Sequence, residues 1–214
     1  MENEETKTSL EKLQPFVPRF YGGDESGGIE SGKCKITLEN LLFGRENACF
    51  VDIKLGTSTL TLDGRRKGRN EGREANDKKR TSFEHGFTMC GICLKDPVTG
   101  ETRDKHYKLH PPMEEAKEWL AKLFTQGKDG AVDSKAVEYV KEQLTLILSY
   151  FTDDNEHTMR GMSLFVVIDS EKQAYLVKLI DLSSFEQIPQ EDGPNRDDGL
   201  IKGTTSLLSM LEQL

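Results

Sequence analysis

The sequence predicts an α+β protein, on three observations. Short segments of alternating apolar and polar residues occupy the stretch from Lys33 to Leu109, separated by turn signals. Two long amphipathic patterns of helical period follow, and a hairpin pattern and a closing helix end the chain.

The elements follow in order. Residues 1–14 read as the tail of a polar helix entering the extended run Pro15-Phe16-Val17-Pro18. Gly22 to Gly32 is a loop of glycine, serine and acidic residues, and Lys33 to Glu39 is a strand with Cys34, Ile36 and Leu38 on one face. After a connection at Asn40 to Asn47, Ala48 to Leu55 alternates again. Cys49, Val51, Ile53 and Leu55 face one way, and Phe50, Asp52 and Lys54 face the other. Gly86–Lys95 and Asp104–Leu109 read as strands around the turn Asp96–Gly100.

A helix is expected from Pro112 to Gln126, with Met113, Ala116, Trp119, Leu120, Leu123 and Phe124 on one stripe and Gly127 as its stop. A second is expected from Ser134, as N-cap, to Phe151. Both stripes are core packing. Gly161–Asp169 and Ala174–Leu182 predict a hairpin whose second strand stays apolar until it releases Asp181. A carboxylate at the mouth of a buried strand suits a hard cation such as Mg²⁺. An irregular loop, Gln187–Asp198, precedes a closing helix near Thr204–Leu214.

The chain has 214 residues, 31% of them charged, and a net charge of −8. That length allows one domain with a sizeable core or two small lobes. No apolar run approaches the ~20 residues of a membrane span, and the polar start MENEETKTSLEK is unlike a secretory signal. A soluble protein of the cytoplasm or nucleus, without membrane insertion, is the expectation. Cys90 and Cys93 have CxxC spacing, but no second pair or pair of histidines accompanies them, which argues against zinc. Between Asp63 and Arg80 eight basic residues stand among four acidic ones, a basic island on an otherwise acidic chain. Such an island is a local anion site or a solvated linker. It lacks interleaved aromatics for base stacking, so nucleic acid is not an expected partner.

Asp52 and Lys54, two residues apart on one face of a strand, can address the same bound phosphate ester. Phosphoryl transfer asks a protein chiefly for positioning, a proton acceptor and cations on the moving phosphate. Taken alone, the pair is more readily a pair of surface charges on a half-exposed strand, since charged outward positions are ordinary in sheets.

Six blocks, in order, give the segment a context. They are Phe16-Val17-Pro18-Arg19-Phe20-Tyr21-Gly22, Ile36–Leu41, Ala48–Gly56, Thr81-Ser82 running into Gly86–Gly91, Ser163-Leu164-Phe165 with Ile180-Asp181-Leu182-Ser183, and Asp198–Gly203. Together they resemble the inositol polyphosphate kinases, the group of multikinases, trisphosphate 3-kinases and hexakisphosphate kinases. The family hallmark PxxxDxKxG stands here as Ala48–Gly56, with Ala48 in place of the proline.

The resemblance implies a two-lobed kinase-like fold using ATP and Mg²⁺. It divides the chain into residues 1–42, the remnant of a nucleotide lobe and hinge, and 43–214, a catalytic lobe with an antiparallel sheet flanked by helices. Residues 60–82 would be the inositol-phosphate-binding segment. Part of the N-terminal lobe is expected to be missing. By the same resemblance Asp52 accepts or orients the proton of the reacting hydroxyl and Lys54 meets the transferring phosphate. Asp181 and Ser163 would hold the metal, and Glu39, Leu41 and Asp181 the nucleotide. Arg66, Lys67, Arg69 and Arg73 would clamp substrate phosphates, for which charge-assisted, bidentate hydrogen bonds are suited. The implied activity is phosphate transfer to a soluble inositol polyphosphate. The alternative is a catalytically impaired pseudokinase that binds inositol phosphate or a protein partner; no protein partner is identifiable.

Overall fold

The computed structural model describes residues 8–24, 35–61, 64, 71–95, 99, 102–106, 111–125, 130–188 and 197–214. At its centre is a five-stranded antiparallel sheet of β3 (Cys49–Leu55), β4 (Phe87–Lys95), β5 (Thr102–His106), β7 (Ser163–Asp169) and β8 (Ala174–Ile180), in the order β5-β4-β3-β7-β8. Two small antiparallel pairs accompany it. One joins β1 (Phe20–Asp24) to β2 (Lys35–Leu38), the other β6 (His157–Met159) to β9 (Phe185–Gln187). The α+β reading of the sequence and its antiparallel central sheet are as expected.

β3 alternates strictly between buried and half-buried positions, as its period-2 pattern requires. Its core side, Cys49, Val51, Ile53 and Leu55, joins Leu164, Val166, Val177 and Leu179 of the neighbouring strands in one cluster. α4 (Met113–Phe124), α5 (Ser134–Ser149) and α6 (Asp198–Leu211) cover that side with Leu120, Phe124, Val140, Leu144, Leu207 and Leu211. The helices thus take one face of the sheet and leave the Asp52–Lys54 face open.

Several local expectations are corrected. The cap of α5 is Asp133 rather than Ser134: its carboxylate accepts from the Ala136 amide at 3.1 Å, and a carboxylate also suits the positive end of the helix. The α-helix ends at Ser149 and passes into a π-helical turn, Tyr150–Asp154, that carries Phe151 into the core. The first strand of the β7–β8 hairpin starts at Ser163, because Arg160 and Gly161 form a turn. β2 is exposed along its whole length, Ile36 included at 60%, so its alternation buries no face.

The closing helix begins at Asp198, six residues before Thr204, capped by the Asp197 carboxylate on the Gly199 amide at 3.0 Å. Gly199 and Gly203 lower its intrinsic propensity, but packing demands them. A Cβ on Gly203 would stand 2.1 Å from the Gly86 carbonyl oxygen, and one on Gly86 would stand 2.3 Å from the Gly203 nitrogen. Gly86 also has φ +77 as the left-handed C-cap of α3 (Thr81–His85), so its lack of a side chain is needed twice. This contact seats the last helix against the end of β3, where the Gly56 amide donates to the Gly86 carbonyl at 2.7 Å.

Candidate active site

The open face of the sheet is a floor of three cross-strand rows. Lys54 pairs with Ser163 and Ser163 with Ile180; Asp52 pairs with Phe165 and Phe165 with Lys178; Phe50 pairs with Val167 and Val167 with Leu176. Residues in register on antiparallel strands share a face, so Asp52, Lys54 and Ser163 lie on the same face of the sheet. Asp181 follows the last residue of β8 with φ +62, a left-handed conformation uncommon for a residue with a Cβ. That bend turns its carboxylate back over the first row.

Three oxygens from separate elements hold the Lys54 ammonium. It donates to the Gly161 carbonyl at 2.8 Å, to Ser163 Oγ at 3.2 Å and to Asp181 Oδ2 at 3.3 Å. Side chains of Lys54 and Asp181 are 36% and 57% exposed, so the ion pair contributes no more than about 1 kcal/mol. It orders the two groups without locking them. Ser163 is fully buried. Asp52 Oδ1 is buried with no hydrogen-bond partner among the described residues, a carboxylate oxygen left with unused accepting capacity.

A bulge in β4 sits beside this pair: Asp52 faces Gly91 and Ile53 faces Met89, leaving Cys90 as the extra residue. Burial pushes the Cys90 thiol up, and the Asp52 charge pushes it further in the same direction. Cys90 therefore stays a neutral thiol against the site.

Two supports escaped the reading of the sequence. Asp77, counted there only as an acidic member of the basic island, is buried and accepts from the Thr59 amide at 2.9 Å, Thr59 Oγ1 at 2.8 Å and Ser58 Oγ at 3.2 Å. It pins the end of α2 (Glu71–Asp77) to the chain leaving β3. Arg160 forms a buried ion pair with Asp197 at 3.0 Å, with 10% and 3% of their side chains exposed. That pair ties the turn carrying the Gly161 carbonyl to the cap of α6. An acidic residue inside a basic run was a visible signal for Asp77; for Arg160 nothing local distinguished it.

At the far end of the floor, Tyr21, Glu39, Asn40, Leu41, Phe43, Arg45 and Leu176 line a concavity of about 250 Å³. Glu39 is fixed in register there: its amide donates to the Arg19 carbonyl at 2.8 Å, and its carboxylate accepts from the Arg19 amide at 3.1 Å. Leu176 lies four residues along β8 from Ile180, about 13 Å. Of the expected phosphate clamps, Arg66, Lys67 and Arg69 lie outside the described residues, and Arg73 lies on α2. No helix among the described residues is long and apolar enough to cross a membrane.

Asp181 with a carboxylate and Ser163 with a hydroxyl carry the oxygen donors that a hard divalent ion takes, while no group of three or more acidic, histidine or cysteine side chains forms among the described residues. Mg²⁺ is commonly held in this way, by one or two carboxylates, waters and substrate phosphates.

The sheet is covered on one face and carries a lysine, two aspartates and a serine together on the other. Comparison with known proteins gives the class. The family model for inositol polyphosphate kinase matches residues 35–212, and the chain belongs to that family. A solved structure of an inositol phosphate multikinase superposes with a TM-score of 0.75 at 19% identity, over 99% of this chain and 94% of that one. The multikinase Ipk2 of S. cerevisiae, solved with ADP and Mn²⁺, gives 0.71 at 18% identity, over 94% and 89%. At such identities the likeness is one of fold. No curated protein matches the sequence.

Proposed function

We propose that this protein is an ATP-dependent kinase that transfers phosphate to a soluble inositol polyphosphate. The observation carrying the proposal is the meeting of Lys54 with Asp181 at 3.3 Å over the buried Ser163, on the face Asp52 shares. The family membership and the ADP-bound relative support the same reading.

In this reading residues 1–42 form the nucleotide side and hinge, and residues 43–214 the catalytic lobe. The nucleotide lies along the floor with its base against the backbone of Glu39 and Leu41. Its phosphates reach the Lys54 row about 13 Å away. Asp181 and Ser163 would hold a divalent ion such as Mg²⁺, which would neutralise phosphate charge. Lys54 meets the transferring phosphate, offering a positive charge already oriented by Gly161 and Ser163. Asp52 accepts or orients the proton of the attacking hydroxyl with the oxygen that has no other partner. The segment 60–82, with Arg66, Lys67, Arg69 and Arg73, holds the other substrate phosphates. The intact trio gives the pseudokinase alternative no support.

A turnover assay with ATP, Mg²⁺ and a panel of soluble inositol phosphates tests the proposal. Transfer by the native chain should fall by about 10²–10⁴ in Asp52→Asn, with Asp181→Asn also inactive. Full transfer in both variants would overturn the assignment.

A further inference from the structure

A second concavity, of about 550 Å³, opens beside the transfer centre and is lined by Lys78, Lys79, Arg80, Thr81, Phe83, Glu84 and Lys202. Three of its cations come from the chain between α2 and α3, while the fourth comes from α6, more than a hundred residues later. The Gly86–Gly203 contact brings α6 close enough to supply it. Among the described residues Lys78, Lys79 and Lys202 have no ion-pair partner. Arg80 approaches Asp77 at 3.9 Å, and Glu84, the one carboxylate in the lining, approaches His85 at 3.7 Å. Four cations against one carboxylate in a shared hollow repel one another unless an anion joins them.

The hollow adjoins the site. Thr81 Oγ1 bonds Thr88 Oγ1 at 3.1 Å, and Thr88 is the cross-strand partner of Lys54.

We propose that Lys202 of α6 extends the substrate-phosphate contacts of the 60–82 segment across this concavity and is a specificity-determining residue there, binding a phosphate monoester of the substrate remote from the reacting hydroxyl. The proposal rests on the kinase reading for the identity of the ligand and reaches outside the 60–82 segment for the residue. A lone ammonium on a helix is ordinary surface chemistry. Its convergence with three cations from another segment, in a hollow next to the transfer centre, is what selects a ligand carrying several phosphates.

Calorimetry of the full chain with soluble inositol trisphosphate, beside phosphatidylcholine vesicles carrying phosphatidylinositol bisphosphate, tests it. Lys202→Ala and Lys79→Ala should each weaken binding of the soluble ligand by about tenfold, raise KM in step and leave the thermal midpoint in place, and Lys202→Arg should restore most of the affinity. Unchanged affinity in both alanine variants while turnover persists overturns the proposal and leaves the kinase reading standing. Binding without turnover that weakens in Lys202→Ala upholds the proposal and removes the kinase reading. Binding to vesicles alone, or to neither ligand, overturns the proposal.

Discussion

At one end of the open sheet face Lys54 is held by oxygens of Gly161, Ser163 and Asp181; at the other, Glu39, Leu41 and Phe43 stand beside a hairpin whose side chains are largely exposed. Ser163 at the first end is fully buried, whereas Phe43 at the second is 84% exposed and Tyr21 62%. The contrast matches what each end does in the proposed reaction. Transfer of a phosphoryl group depends on atoms placed to fractions of an ångström, so that end is anchored in the sheet and braced from behind. A planar base can be held by main-chain groups and apolar contact, which a hairpin with little core of its own can provide.

The bracing makes the first end the one where substitution costs most. Asp197→Ala removes the cap of α6 and leaves Arg160 charged and buried without its partner. It should destabilise the protein by about 3–5 kcal/mol in urea unfolding. Activity should fall more than the folded fraction does, because the Gly161 carbonyl loses the brace behind it. A loss under about 1 kcal/mol would mean that the Arg160–Asp197 pair does not hold that end together. Gly203→Ala comes next. Its methyl would meet the Gly86 carbonyl at 2.1 Å, where both partners are backbone and cannot swing aside. The expected cost is about 3 kcal/mol, read from the shift in denaturation midpoint at constant slope.

How much of this was legible in the residues follows the range of each interaction. β3 declares itself because a period of two is local, and its charged side is where Asp52 and Lys54 were expected. Asp181 was visible for a related reason, as the carboxylate that ends a strand apolar apart from Lys178. The meeting of Lys54 with Asp181 spans 127 residues and came only from the order of the family blocks. The early start of α6 was hidden because glycine has low helix propensity, and the reason for Gly199 and Gly203 lies on Thr57 and Gly86. Arg160 carries no local mark of its partner, since Asp197 and Asp198 stand side by side and only the fold chooses between them. The hairpin misled in the other direction: Ile36 and Leu38 have strand periodicity, yet at 60% and 45% exposure they bury no core.

That exposed end supplies the smallest and most discriminating substitution. Phe43→Ser removes an aromatic ring that is 84% exposed, so little packing is lost and stability should change by less than about 0.5 kcal/mol. The ring nevertheless lines the hollow with Glu39 and Leu41. If a base occupies that hollow, part of the ring's area is covered only in the complex, and losing it should weaken nucleotide binding by about 1 kcal/mol, roughly fivefold. The affinity for inositol phosphate should not move, because its proposed contacts lie at the other end. Equal nucleotide affinity in the variant and the native chain would place the base elsewhere on the floor. A drop in stability comparable with that of Gly203→Ala would show instead that the hairpin end is packed after all, and the contrast between the two ends would lose its basis.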